Sequence, residues 1–164
     1  MRSCFCALLL LTQLACSKAP PTAARQVRVS TAALVTTPTW TDRTPASGPS
    51  ARAFHGLAAI SGKLLLFGGQ LADAQDSDET WTWNGTSWTL EAPSARPSAR
   101  QPGQQLATFG SSVLLFSGGA GALDSQTWSW DGTDWTQLSP LNAPPARRGG
   151  HMAELGGALY LFGG

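Results

Sequence analysis

Three tryptophans, Trp40, Trp88 and Trp135, each open the same thirteen-residue pattern, and this self-similarity restricts the chain to architectures made of stacked units. Each is followed at +5 by Pro45, Pro93 and Pro140, and at +9 by Pro49, Pro97 and Pro144. Ala51-Arg52, Ala99-Arg100 and Ala146-Arg147 then stand at +11 and +12. An apolar stretch ending in a glycine pair comes next: Leu64-Leu65-Leu66-Phe67-Gly68-Gly69, Val113-Leu114-Leu115-Phe116-Ser117-Gly118-Gly119, and Leu159-Tyr160-Leu161-Phe162-Gly163-Gly164. Finally Thr80-Trp81-Thr82-Trp83-Asn84-Gly85 recurs as Thr127-Trp128-Ser129-Trp130-Asp131-Gly132. The tryptophans are 48 and 47 residues apart, the length of a small supersecondary unit.

The residues also describe the unit. The run at 64–67 is apolar on both alternating faces, which a strand tolerates only when it is covered on both sides. In the run at 80–83 alternation is strict, so Trp81 and Trp83 share one face and the threonines take the other. Asn84-Gly85 and Asp131-Gly132 are preferred pairs for a two-residue type I′ hairpin, whose central residues both need positive φ. That turn sets Trp83 against Thr86 and Trp81 against Trp88, with Trp128 and Trp135 repeating the aromatic pair. Four short strands result, at about 56–60, 63–67, 80–83 and 87–90. Composition agrees: 18 Gly, 11 Pro and only 13% charged residues suit many strands joined by turns, and 42% apolar residues suffice for a core.

The glycine pair after an apolar strand, the paired Trp-x-Trp and the arginine before the next strand resemble bacterial Kelch repeats, over residues 40–164. The resemblance implies an all-β fold, an incomplete Kelch-type β-propeller of two full four-stranded blades plus half of a third. The expected divisions are an outer strand at 40–44, blade one at 52–91, blade two at 100–138 and the start of blade three at 147–164. The repeated residues form its expected framework: Arg52, Gly68, Gly69, Trp81, Trp83 and Trp88 in the first unit, Arg100, Gly118, Gly119, Trp128, Trp130 and Trp135 in the second, Arg147, Gly163 and Gly164 in the third. Third-unit register is open at the arginine: the gapless alignment pairs Arg147 with Arg52 and sets His151 opposite Gly56, whereas alignment on His55 selects Arg148.

Ahead of the repeats, Arg2, the apolar run at 4–11 and Ala15-Cys16-Ser17 make residues 1–16 an export signal, too short to span a bilayer. It resembles a bacterial lipoprotein signal, with Cys16 as the lipidated first residue, although Gln13 stands where such signals usually carry leucine. Ordinary cleavage after Ser17 and an uncleaved anchor are the alternatives. Residues 17–39, rich in Ala, Pro, Thr and Arg without apolar periodicity, read as a tether. Either cleavage leaves at most one cysteine, so no intrachain disulfide is expected.

Function is weakly marked. Without the signal the chain carries ten basic and ten acidic residues, so no nucleic-acid footprint is expected, and the membrane is reached only through the lipid anchor. Arginines repeated in every unit are expected to bond carbonyls or acids of the fold. His55 and His151 each lie alone in their segments, and Asp73, Asp76, Asp78 and Glu79 lack the glycine and spacing of a calcium loop, so no metal or cofactor is expected. No nucleophile elbow, phosphate loop or Cys-His arrangement is present. The expected function is a non-enzymatic binding or scaffold module, periplasmic or displayed at the cell surface and otherwise secreted, holding protein or glycan through rim loops that differ between units. The alternative is part of a carbohydrate-active enzyme, since Kelch propellers also resemble galactose oxidase and sialic acid mutarotases. Tyr160 is the only tyrosine, so these residues do not build the copper oxidase site. Self-association is expected from the unfilled end blades.

Overall fold

The structure is a computed structural model that describes residues 41–100, 104–118 and 123–164. Their secondary structure lies in one compact unit, Arg43–Gly164, and is all-β. The strands are β1 (Arg52–Ala53), β2 (Gly56–Ile60), β3 (Lys63–Phe67), β4 (Gln70–Leu71), β5 (Thr80–Trp83), β6 (Trp88–Leu90), β7 (Gln105–Phe109), β8 (Ser112–Phe116), β9 (Thr127–Trp130), β10 (Trp135–Leu138), β11 (His151–Leu155) and β12 (Ala158–Phe162). Two four-stranded antiparallel sheets run in the orders β2-β3-β5-β6 and β7-β8-β9-β10, beside the pairs β11-β12 and β1-β4.

Alternation decides which residues meet. In the first sheet Leu65 and Phe67 point one way with Thr80 and Thr82, while Leu64 and Leu66 lie beside Trp83 and Trp81 on the other face. The second sheet repeats this, Val113 and Leu115 pairing with Trp130 and Trp128. The core forms where the Leu65 and Phe67 face of the first sheet meets the Val113, Leu115, Trp130 and Trp135 face of the second. Phe67 meets Trp135 edge-on with ring centroids 5.2 Å apart, an arrangement worth about 1 kcal/mol beyond the area it buries. Burial of the tryptophans therefore differs between sheets. Trp130 and Trp135 are buried, but Trp81, Trp83 and Trp88 are half-buried, and it is Thr80 and Thr82 that face the core in β5. Gly48 packs on Trp88, where an added Cβ would lie 2.7 Å from the indole.

The hairpin register differs from expectation by a physical cause. Asn84 Oδ1 accepts from the N–H groups of Thr86 and Ser87, both at 2.9 Å, and Asp131 Oδ1 likewise accepts from Thr133 and Asp134. The side chain thus serves as a cap instead of a turn centre. Asn84 N–H donates to Ser87 O, the tight turn moves to Gly85-Thr86, and Gly85 takes φ +97°. Trp83 consequently pairs with Trp88 and Trp130 with Trp135, correcting the expected Trp81–Trp88 and Trp128–Trp135 pairs. The turn with positive φ at both centres occurs instead at Ser61-Gly62 and Gly156-Gly157.

Residues 41–44, the described part of the segment expected as an outer strand at 40–44, lie outside the twelve strands. Trp40, the tether at 17–39 and the signal at 1–16 lie outside the described residues.

Candidate functional site

The recurring arginines each hold the carbonyl just past the far strand of the hairpin that follows them, β2-β3, β7-β8 or β11-β12. Arg52 donates from Nη1 to Gly68 O at 3.2 Å, Arg100 to Ser117 O at 3.0 Å and Arg147 to Gly163 O at 3.0 Å. Nε of each donates to the carbonyl two residues upstream, on Ser50, Ser98 and Pro145. This equivalence settles the third-unit register on Arg147. His151 pairs with Phe162 as Gly56 pairs with Phe67 and Gln105 with Phe116, so His151 occupies the Gly56 position and not that of His55.

Accepting carbonyls also correct the glycine register of the second unit. Gly68, Ser117 and Gly163 share positive φ of 68°, 61° and 78°, and Gly69, Gly118 and Gly164 follow at 95°, 85° and 102°. Ser117-Gly118 is therefore the equivalent pair, and Gly119 lies outside the described residues. Ser117 holds a conformation that favours glycine because its hydroxyl is engaged: Oγ donates to Asp124 O or Arg147 O, both at 2.8 Å, and accepts from Arg147 N–H.

Each arginine with a full set of partners meets a carboxylate, but at different repeat positions. Glu79 accepts from Arg52 at 2.6 Å and from Trp81 Nε1 at 3.0 Å, while Ser77 Oγ accepts from the same guanidinium. In the second unit Gln126 takes the Glu79 place, accepting from Arg100 and Trp128, and Asp124 takes the Ser77 place 3.4 Å from Arg100. Burial opposes ionisation of Glu79, yet hydrogen bonds from Trp81 and Arg52 and the arginine's charge prevail and hold its pKa below the ordinary value. Asp78 pairs with Arg96 at 3.1 Å and Asp73 Oδ1 accepts from Gln75 N–H. Asp73, Asp78 and Glu79 are thus engaged by protein partners while the buried Oδ1 of Asp76 accepts no hydrogen bond, and no three metal-ligating side chains converge among the described residues.

Topology brings together the two histidines that are far apart in sequence. β7 lies between β2 and β11, and the groove along these first strands has a polar end of about 310 Å³ lined by His55, Gln104, Gln105, Gly150, His151 and Met152. The other end, about 690 Å³, is more apolar, with Leu57, Leu106, Phe109 and Met152 around Glu154. Partial burial, then the Arg52 charge, lower the His55 pKa against a hydrogen bond with the Arg52 backbone, which favours the neutral imidazole. Gln104, at the His55 position of its unit, stitches the sheets by donating from Nε2 to Phe54 O and Phe67 O at 3.2 and 3.1 Å. Nothing but repeat register marks Gln104 in the sequence. Neutral imidazole and carboxamides in an open groove can exchange hydrogen bonds with hydroxyl or amide groups, and no carboxylate stands at that end among the described lining residues. Cys16, the expected lipidation site, lies outside the described residues.

No known family profile matches the chain. A stretch of 68 residues, 40% of the chain, is 35% identical to the human multiple epidermal growth factor-like domains protein 8, of whose length it spans 2%.

Proposed function

We propose that the chain is a non-enzymatic binding module of an exported Kelch-type β-propeller protein, tethered through lipid on Cys16. What carries this reading is the unit-by-unit recurrence of the arginine clamp, which commits the repeated polar residues to holding strands together. Variation is left to the loops, ten residues at 70–79 against eight at 119–126 in the corrected register, and to the groove that holds His55 and His151. Hydroxyl-rich glycan or the backbone of an extended peptide matches the neutral donors and acceptors there.

Glycan and peptide microarrays probed with the full chain test it. Binding lost in His151→Ala, with unchanged Tm, is the expected result. Acceleration of sialic acid anomer exchange, followed by NMR, would instead make it an enzyme. Mass spectrometry of the exported chain tests the anchor: a diacylglyceryl Cys16 is expected, and an unmodified N-terminus at Lys18 means plain secretion.

A further inference from the structure

Phe54 stands in the left-handed region at φ +58°, where a bulky L-residue is strained. Its repeat counterparts show that the conformation belongs to the position and not to the ring. Gly56 and His151 share one register place, paired with Phe67 and Phe162, and two residues ahead of His151 the third unit has Gly149 at φ +77°. In the sequence Gly103 stands equally far ahead of Gln105, whose partner is Phe116. Glycine meets such a backbone requirement without a Cβ clash, so phenylalanine is the less stable choice at this place. Core packing does not offset the strain, because Phe54 is 58% exposed.

Phe54 borders the polar end of the groove, about 310 Å³, together with His55 and His151. The walls come from three units, all among the described residues. No Asp, Glu, Lys or Arg stands among those lining residues, and the guanidinium of Arg52, two residues before Phe54, is held by Gly68, Ser77 and Glu79. An ionic ligand therefore finds no counter-charge in the lining. The lining residues are the starts of β2, β7 and β11 and those just ahead of them, so this end runs across three strands and not along one. A peptide added as a strand needs the length of a single edge. An exposed aromatic face beside two imidazoles suits instead a ligand that is apolar on one face and carries donors and acceptors around its rim. A pyranose ring has that form, with C–H bonds on its face and hydroxyls at its edge. The volume, near the lower end of the roughly 300 to 1,000 Å³ of ligand pockets, suits one such ring.

We propose that this end of the groove is a subsite for a neutral sugar ring, with Phe54 as its stacking platform and His55 and His151 exchanging hydrogen bonds with its hydroxyls. The assignment rests on the binding-module reading and narrows the ligand from glycan or peptide to a pyranoside unit. Strain at Phe54 is then retained for the ring it presents.

Titration of the full chain with the methyl pyranosides of glucose, galactose, mannose and N-acetylglucosamine, followed by saturation-transfer NMR and calorimetry, tests it. At least one pyranoside is expected to bind, and sorbitol, which has hydroxyls but no ring face, is not. Phe54→Gly, which installs the residue of Gly149, is expected to weaken that binding about tenfold, the scale of one aromatic contact, while Tm holds or rises because the strain is gone. Phe54→Trp is expected to keep the binding. A fall in Tm on Phe54→Gly assigns the ring to packing and overturns the proposal, as does pyranoside binding indifferent to that substitution. Absence of pyranoside binding also overturns it: peptides held on the arrays would then leave the binding-module reading standing, and silent arrays would remove both. Catalysed anomer exchange at a site that Phe54→Gly still weakens does the reverse, keeping the sugar subsite and removing the non-enzymatic reading.

Discussion

Trp135 reaches from the second four-stranded sheet to the first, its Nε1 donating to Thr80 Oγ1 at 2.9 Å with both residues buried. The indole is thus anchored at its polar atom as well as by its ring on Phe67. Thr80→Val keeps the volume and removes the acceptor, leaving a buried N–H unpaired at about 1 to 3 kcal/mol. Urea unfolding should report that loss. In a Trp135→Phe background the same substitution should cost less by about 1 kcal/mol, since no N–H remains to strand.

The three clamps differ in burial, so their removal should differ in cost. Arg100 is fully buried, holding Ser117 O, Ser98 and Gln126 beside Asp124, whereas the bonds of Arg147 lie at an exposed site. Arg100→Ala should lose about 3 kcal/mol, because it strands a buried carbonyl and leaves Asp124 without its cation. Arg147→Ala should lose less than about 1 kcal/mol. Equal losses in denaturant titrations would mean that the clamp acts through something other than burial.

Much of this architecture is readable from residue order, and its misses have local causes. Alternation around Trp81 and Trp83 locates β5 and assigns its two faces, because side-chain direction in a strand follows from geometry alone. The hairpin register escapes because Asn84 and Asp131 can either centre a turn or cap one, and only the three-dimensional hydrogen bonds show which. The shift of the carboxylate from Glu79 to Asp124 escapes for another reason: a guanidinium offers several donors, so the charge can be met from either of two positions. His55 and His151 are separated by two strand-order decisions, and no local pattern could place them in one groove.

Acid should act on the first unit in two windows. The His55 pKa is lowered on folding, so the unfolded chain binds more protons below its ordinary value of 6.5, and stability present above that value falls as pH drops toward the folded value. Glu79 is likewise lowered, and its contribution, present above 4.5, is lost as pH falls through its folded value. Tm followed from about pH 8 to about pH 2 should therefore decline in two stages. His55→Gln, which installs the residue found at this position in the second unit, should flatten the upper stage and leave the lower one. Glu79→Gln should do the reverse.

Ser117 opposes backbone strain to side-chain bonding, and two substitutions separate them. At φ +61° a serine pays a steric cost of about 1 kcal/mol that glycine avoids. Its Oγ also ties the second sheet to Asp124 and Arg147. Ser117→Ala keeps the strain and loses the bonds, leaving the Arg147 N–H without that acceptor, and should cost about 2 kcal/mol. Ser117→Gly loses the same bonds but relieves the backbone, so it should be more stable than the alanine variant by about 1 kcal/mol while remaining below wild type. Thermal melts of the three proteins measure the order directly. If glycine exceeded wild type, the strain would outweigh the hydroxyl's bonds, and the serine would be a cost to the fold where Gly68 and Gly163 show the cheaper solution.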